Sequence, residues 1–235
     1  MRLFLAIRPP RAVLDHLEPA LDGVRDRAGR ALRWTEPEQR HLTLAFHPEV
    51  PAGAVDDVVA VAGRIAAQAL AEAGKAEYPL PMYVNAALRD PVNDQDPATY
   101  ASGGPTWNVI EVWQAAAPAI DFLSPDIYTR KSAEYEAHLD RYARPDNALF
   151  VAETGSDTQY ARYLFETLGR GGIGFSPFGI DYTGYSNYPL GAKEITEETL
   201  EPFRDLYRLI ASWQRTWARL AFEGRVWGAA EPDDR

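Results

Sequence analysis

From residue 75 onward a short apolar run, a polar turn and an amphipathic helix follow one another repeatedly, and that alternation is what a parallel, helix-covered sheet requires. The apolar runs are Leu80–Val84, Ile120–Ile127, Leu149–Ala152 and Ile173–Ser176. Helical spacing separates them at Val109–Ala117, Lys131–Tyr142 and Tyr160–Leu168, and a last helix spans Glu197–Glu223. Thr196 is placed to cap that helix, with Glu197 and Glu198 at the positive end of its dipole. The fold class expected is α/β, a partial (β/α)8 barrel of about four βα units. A polar loop, Arg89–Trp107, interrupts the pattern, and at this length a loop is usually functional or disordered.

In such an architecture, side chains just past the C-terminal end of a strand line the active face, whereas those within it fill the core. Asn85 closes the first run, Asp126 and Tyr128 stand at the exit of the second, and Pro177-Phe178-Gly179 ends the fourth, shortly before Asp181. The stretch Ala148–Gly155, Ala-Leu-Phe-Val-Ala-Glu-Thr-Gly, carries Glu153 from an apolar strand into a turn. Glu153 is therefore a candidate catalytic carboxylate, against the plainer reading of a solvated glutamate.

The chain begins differently. Arg2–Ile7 reads as a strand, and Pro9-Pro10 opens a helix in which Val13, Leu14, Leu17, Leu21 and Val24 recur at helical spacing. Leu32–Trp34 reads as a brief strand. His41–Phe46 then alternates polar and apolar residues, which puts His41 and Thr43 on one face of a strand. A helix is expected over Ala52–Ala73, ended by Gly74.

The opening Met-Arg-Leu-Phe-Leu-Ala-Ile-Arg-Pro-Pro together with His41-Leu-Thr43 resembles the two-histidine phosphoesterases, the group of bacterial 2′-5′ RNA ligase-like proteins and RNA 2′,3′-cyclic phosphodiesterases. The resemblance covers residues 1 to about 55. It implies two His-x-Thr/Ser motifs, one imidazole acting as base while the other acts as acid. His41 and Thr43 form one such motif here. The other histidines, His16, His47 and His138, are not followed two residues later by Thr or Ser. Read without the resemblance, His41 is an ordinary strand residue.

From about Gly74 the chain is similar to β-galactosidase-like glycoside hydrolases of families 35 and 42, on Tyr-Pro-Leu-Pro-Met-Tyr-Val-Asn, Ser-Pro-Asp-Ile-Tyr, Leu-Phe-Val-Ala-Glu-Thr-Gly and Gly-Phe-Ser-Pro-Phe-Gly-Ile-Asp-Tyr. The resemblance implies a retaining mechanism with Glu153 as nucleophile on a carbohydrate substrate, and Asn85, Tyr128 and Phe178 lining a sugar subsite. A retaining enzyme needs a second carboxyl group about 5–5.5 Å away to act as acid. The Asn-Glu pair that supplies it in that family is absent, which leaves Asp126 and Asp181 as substitutes.

A net charge of -10 is spread unevenly: residues 1 to 50 hold eight arginines against seven carboxylates, leaving -11 for the remainder. That acidity argues against a phosphate-backbone partner for the later part, so nucleic acid is expected only under the phosphoesterase reading. No cysteine is present to build a disulfide or thiolate site, no metal site or cofactor is expected, and no apolar stretch is long enough to span a membrane. The protein is expected in the cytoplasm, with a phosphoesterase-like segment at 1–60 and a glycoside-hydrolase-like one at 61–235. The leading function is a β-galactosidase-like glycoside hydrolase. The alternatives are an RNA-end phosphoesterase using His41 and Thr43, or a non-catalytic fusion of two gene fragments that self-associates to cover open sheet edges.

Overall fold

The computed structural model describes residues 3–7, 11–28, 42–47, 51–101, 104–181 and 185–233. It divides into two compact units, Met1–Ala62 and Gly63–Arg235, with the division inside one helix.

In the first unit, β1 (Leu3–Ile7) and β2 (Leu42–His47) pair antiparallel, with a register shift between Leu5 and Ala6. Helix α1 (Arg11–Ala28) lies between them in sequence and starts directly after Pro9-Pro10. The expected strand Leu32–Trp34 falls outside the described residues. Helix α2 (Val55–Glu77) runs past Gly74, because a glycine inside a helix costs only about 1 kcal/mol and Met82 packs over this one.

The second unit holds a four-stranded, all-parallel sheet of β3 (Tyr83–Ala87), β4 (Phe122–Ile127), β5 (Phe150–Thr154) and β6 (Gly174–Pro177), in that order. This is a mixed α/β fold with an open sheet; among the described residues β3 and β6 are its edges, and no closed barrel is formed. Helices α3 (Ile110–Ala116), α4 (Ser132–Tyr142), α5 (Tyr163–Gly169), α6 (Glu197–Ala211) and α7 (Gln214–Phe222) complete the unit. The helix expected over Glu197–Glu223 is broken at Ser212–Trp213, and the one expected from Tyr160 begins as a 3-10 turn, Thr158–Arg162. Thr196 does cap α6, in a reciprocal capping box with Thr199.

One face of the sheet is packed. Leu123, Ile127, Val151 and Phe175 join Tyr135, Leu139 and Tyr142 of α4, Tyr163 and Leu164 of α5 and Phe203 of α6 in a single apolar core. Full burial of residues this size stabilises by about 1.5–3 kcal/mol each, which fixes the helices on this side. Buried Asn147 is satisfied at every amide position: Leu123 N–H donates to its Oδ1, and its Nδ2 donates to the carbonyls of Leu123 and Tyr142. The long loop after β3 is ordered rather than structureless where described. Asp90 accepts from the backbone of Val92 and Asn93, and Arg89 and Arg141 lie over the Trp107 ring at 4.8 and 4.1 Å.

Candidate functional site

The other face of the sheet carries aromatic rings and ends in a polar cluster. Tyr83 stacks on Phe122, and Phe150 meets both edge-on with centroids 4.9 and 6.2 Å away. Gly174 makes room for that arrangement, since a Cβ there would come within 2.4 Å of the Phe150 ring. By strand alternation Asn85 and Asp126 share this face.

Glu153 reaches the same face through an irregularity. The register between β5 and β6 slips between Val151 and Thr154, so Val151 and Thr154, three apart, are both fully buried on the helix side. A bulge of this kind re-aims the side chains beyond it. Without it Glu153 would point into the helix-covered core; with it, Glu153 pairs in register with Asp126. Glu153 is therefore the last residue but one of β5, which ends at Thr154.

The cluster is tightly bonded. Asn85 Nδ2 donates to Asp126 Oδ1 and Oδ2 at 2.9 and 3.1 Å and to Glu153 Oε1 at 3.2 Å. Tyr128 donates its hydroxyl proton to Glu153 Oε2 at 2.8 Å. Burial pushes the Asp126 carboxyl up to about 6, the negative charge of Glu153 adds to this, and the Asn85 hydrogen bond opposes it. Burial also raises Tyr128, as does its donation to Glu153. A carboxyl that is half protonated near pH 6 beside a second carboxylate supplies a proton donor and an acceptor on one rim. Ser124, fully buried one step back along β4, leaves its hydroxyl without a partner.

Asn85, Asp126, Tyr128 and Glu153 are thus brought together, and the other two expected residues are not among their bonded partners. Phe178 packs its ring edge-on against Tyr185. Asp181 lines a cavity of about 510 Å³ with Ser186, Lys193, Glu194, Thr196 and Glu197. The Tyr83–Phe122–Phe150 rings were not singled out by the sequence pattern; aromatic residues two before Asn85 and four before Asp126 on adjacent strands were the available signal. His41 lies outside the described residues, and Thr43 stands on β2 in register with Ala6. Among the described residues no group of three or more His, Cys, Asp or Glu is arranged to hold a metal ion, and no helix is long and apolar enough to cross a membrane.

Residues 7–73 match the family described as LigT like Phosphoesterase. That stretch contains His41 and Thr43 and amounts to under a third of the 235 residues. No curated protein matches the chain. The match corrects the leading expectation of a β-galactosidase-like glycoside hydrolase with Glu153 as nucleophile: it supports a phosphoesterase and lends nothing to glycosidase chemistry. Both Glu153 oxygens accept hydrogen bonds, from Asn85 and Tyr128.

Proposed function

We propose that this protein is a phosphoesterase of the two-histidine type acting on RNA ends that carry a 2′,3′-cyclic phosphate or a 2′-5′ linkage, with His41 as its proton-transfer group and Thr43 binding phosphate. The family match over residues 7–73, which encloses His41-Leu42-Thr43, is the observation that carries this reading. In hydrolysis, one imidazole takes a proton from water as its oxygen bonds to phosphorus, and a second gives a proton to the departing ribose oxygen. His41 supplies one of these groups. Because none of His16, His47 and His138 begins a second His-x-Thr/Ser motif, the other imidazole comes from a second copy of the chain. Self-association is therefore part of the proposal. The surplus of arginine in residues 1 to 50, against a strongly acidic remainder, favours the first segment as the one that meets phosphate.

The test is turnover of a 2′,3′-cyclic nucleotide by the full chain and by His41→Ala. Activity that vanishes in the variant, and that falls on dilution faster than in proportion to concentration, is expected. Full activity in His41→Ala would sink the assignment.

A further inference from the structure

Residues Arg225–Asp233 fold back onto the second unit. A Cβ placed on Gly228 would lie 1.8 Å from the carbonyl oxygen of Phe165, and one placed on Gly169 would lie 1.9 Å from the nitrogen of Gly228. Only two glycines allow the backbones to approach so closely. Ala230 packs on the core, and Arg162 Nη1 donates to the carbonyls of Glu231 and Pro232 at 3.3 and 3.4 Å.

At the end of this segment the Asp233 carboxylate is seated among donors. Ser132 N–H reaches its two oxygens at 3.2 and 3.0 Å, the Ser132 hydroxyl donates at 2.8 Å and Arg162 Nη2 at 2.7 Å. Ser132 is the first residue of α4, whose own capping position, Lys131, provides no side-chain cap. Bonds from the Ser132 hydroxyl and amide, and from Arg162, hold the Asp233 carboxyl below the usual carboxylate range.

The bonds extend beyond the helix end. Arg162 Nη2 also donates to the Arg130 carbonyl at 2.6 Å, and the Tyr163 hydroxyl donates to the same carbonyl at 2.8 Å. The Tyr160 hydroxyl donates to the Tyr128 carbonyl at 2.6 Å. Arg130 in turn grips Asp157 and the carbonyls of Pro189 and Leu190. The connection from β4 to α4 is clamped residue by residue, and it carries Tyr128, which donates to Glu153.

We propose that Arg225–Asp233 is a C-terminal latch in which Asp233, seated on Ser132 and Arg162, holds the β4–α4 connection and thereby keeps Tyr128 on Glu153. Asp233 is a positioning residue, acting on the carboxylate cluster only through Arg162, Arg130 and Tyr128.

Two measurements on the full chain test the latch in Asp233→Ala and Asp233→Glu: hydrogen exchange across Tyr128–Glu134, and carbon-13 titration of the Asp126 carboxyl. Loss of the charge-assisted bonds in Asp233→Ala is expected to speed exchange of Tyr128–Lys131 on the order of tenfold. As Tyr128 swings away and water reaches the cluster, the burial that raises Asp126 is relieved and its midpoint moves down from about 6. Asp233→Glu restores both. Faster exchange confined to Ser132 and the first turn of α4, with the Asp126 midpoint unmoved, would reduce Asp233 to a helix cap and overturn the proposal.

Discussion

Asp126 and Glu153 stand opposite one another in register on neighbouring parallel strands, and one amide group, that of Asn85, donates to both. Two carboxylates side by side repel, and the less solvated one relieves this by holding its proton to a higher pH. Burial takes Asp126 from 3.8 to about 6, with the Glu153 charge contributing. A carboxyl whose folded value lies above its unfolded value favours the fold below about pH 4, and that contribution is lost as pH rises through about 6. Asp126→Asn keeps an oxygen for Asn85 and cannot ionise. The variant is expected to match the wild type near pH 4 and to exceed it by about 1–2 kcal/mol at pH 7, a figure reduced for partial exposure. Urea unfolding at the two pH values measures this; equal differences at both would contradict it.

Asn85 itself acts in the opposite direction on the same titration, because its hydrogen bond favours the charged form of Asp126. Replacing it by Ala removes the donor shared by the two carboxylates. The Asp126 midpoint in Asn85→Ala should therefore rise above about 6, whereas loosening the latch lowers it. Carbon-13 titration of the carboxyl carbons distinguishes the two directions.

The cluster was legible in the sequence to the extent that strand-end chemistry follows from element order. Asn85, Asp126, Tyr128 and Glu153 each end or follow an apolar run, and a parallel sheet brings such ends together. What periodicity could not show is the bulge in β5. Strict alternation after Val151 puts Glu153 among the core helices, and only the slip between Val151 and Thr154 turns it outward. After β6 a glycine turn at Gly179, with φ of 71°, redirects the chain, which periodicity does not show either. The break of the last helix at Ser212–Trp213 escaped a pattern read as one helix over Glu197–Glu223; the Trp213 ring turns edge-on to Trp217. Function was harder to read than fold. The longer resemblance, carried by residues from 74 onward, outweighed the shorter one, and the family match falls on the shorter.

His138 predicts a second pH dependence, with the reverse sign in terms of charge. It is buried on α4 with Nδ1 unpartnered, and burial lowers its pKa from 6.5 to about 4, against a smaller opposing pull from Asp90 and Glu134. A histidine depressed in the fold stabilises it above its unfolded value, and that stability drains away as pH falls from 6.5 towards 4. The loss amounts to up to about 3 kcal/mol. His138→Leu, which carries no charge at any pH, should flatten the stability profile across this window. A wild-type profile already flat between pH 6.5 and 4 would show that His138 is protonated in the folded state.

Gly228 tests the close approach of the C-terminal segment to α5 independently of any titration. The atom in the way of a new Cβ is a backbone oxygen, that of Phe165, so no rotamer change can relieve the clash. Gly228→Ala should cost about 1–3 kcal/mol and open the segment as Asp233→Ala does. Gly224→Ala offers the contrast: it has nothing within 4 Å and suffers only from a φ of 66°, so it is strained without displacing a neighbour. Exchange of the Ser132 amide should rise in the first variant and stay unchanged in the second.

Arg170 supports a buried charge whose loss should be felt across α4 and α5. Glu166 is 5% exposed, contacts Arg170 Nη1 one turn along, and relies on that guanidinium, which also donates to Asp140 from Nε at 2.6 Å. Removing one member of a buried pair leaves the other desolvated and unpaired, which costs about 3–5 kcal/mol. Arg170→Met, which preserves the packed stem, should lower the urea midpoint accordingly with an unchanged slope. Replacing both partners, Arg170→Met with Glu166→Leu, removes the stranded charge, and apolar pairs of similar volume are often as stable as the ion pair they replace. Most of the loss should therefore return in the double variant. If the two single losses simply add, Glu166 is not held by Arg170, and Asp140 is the partner that matters.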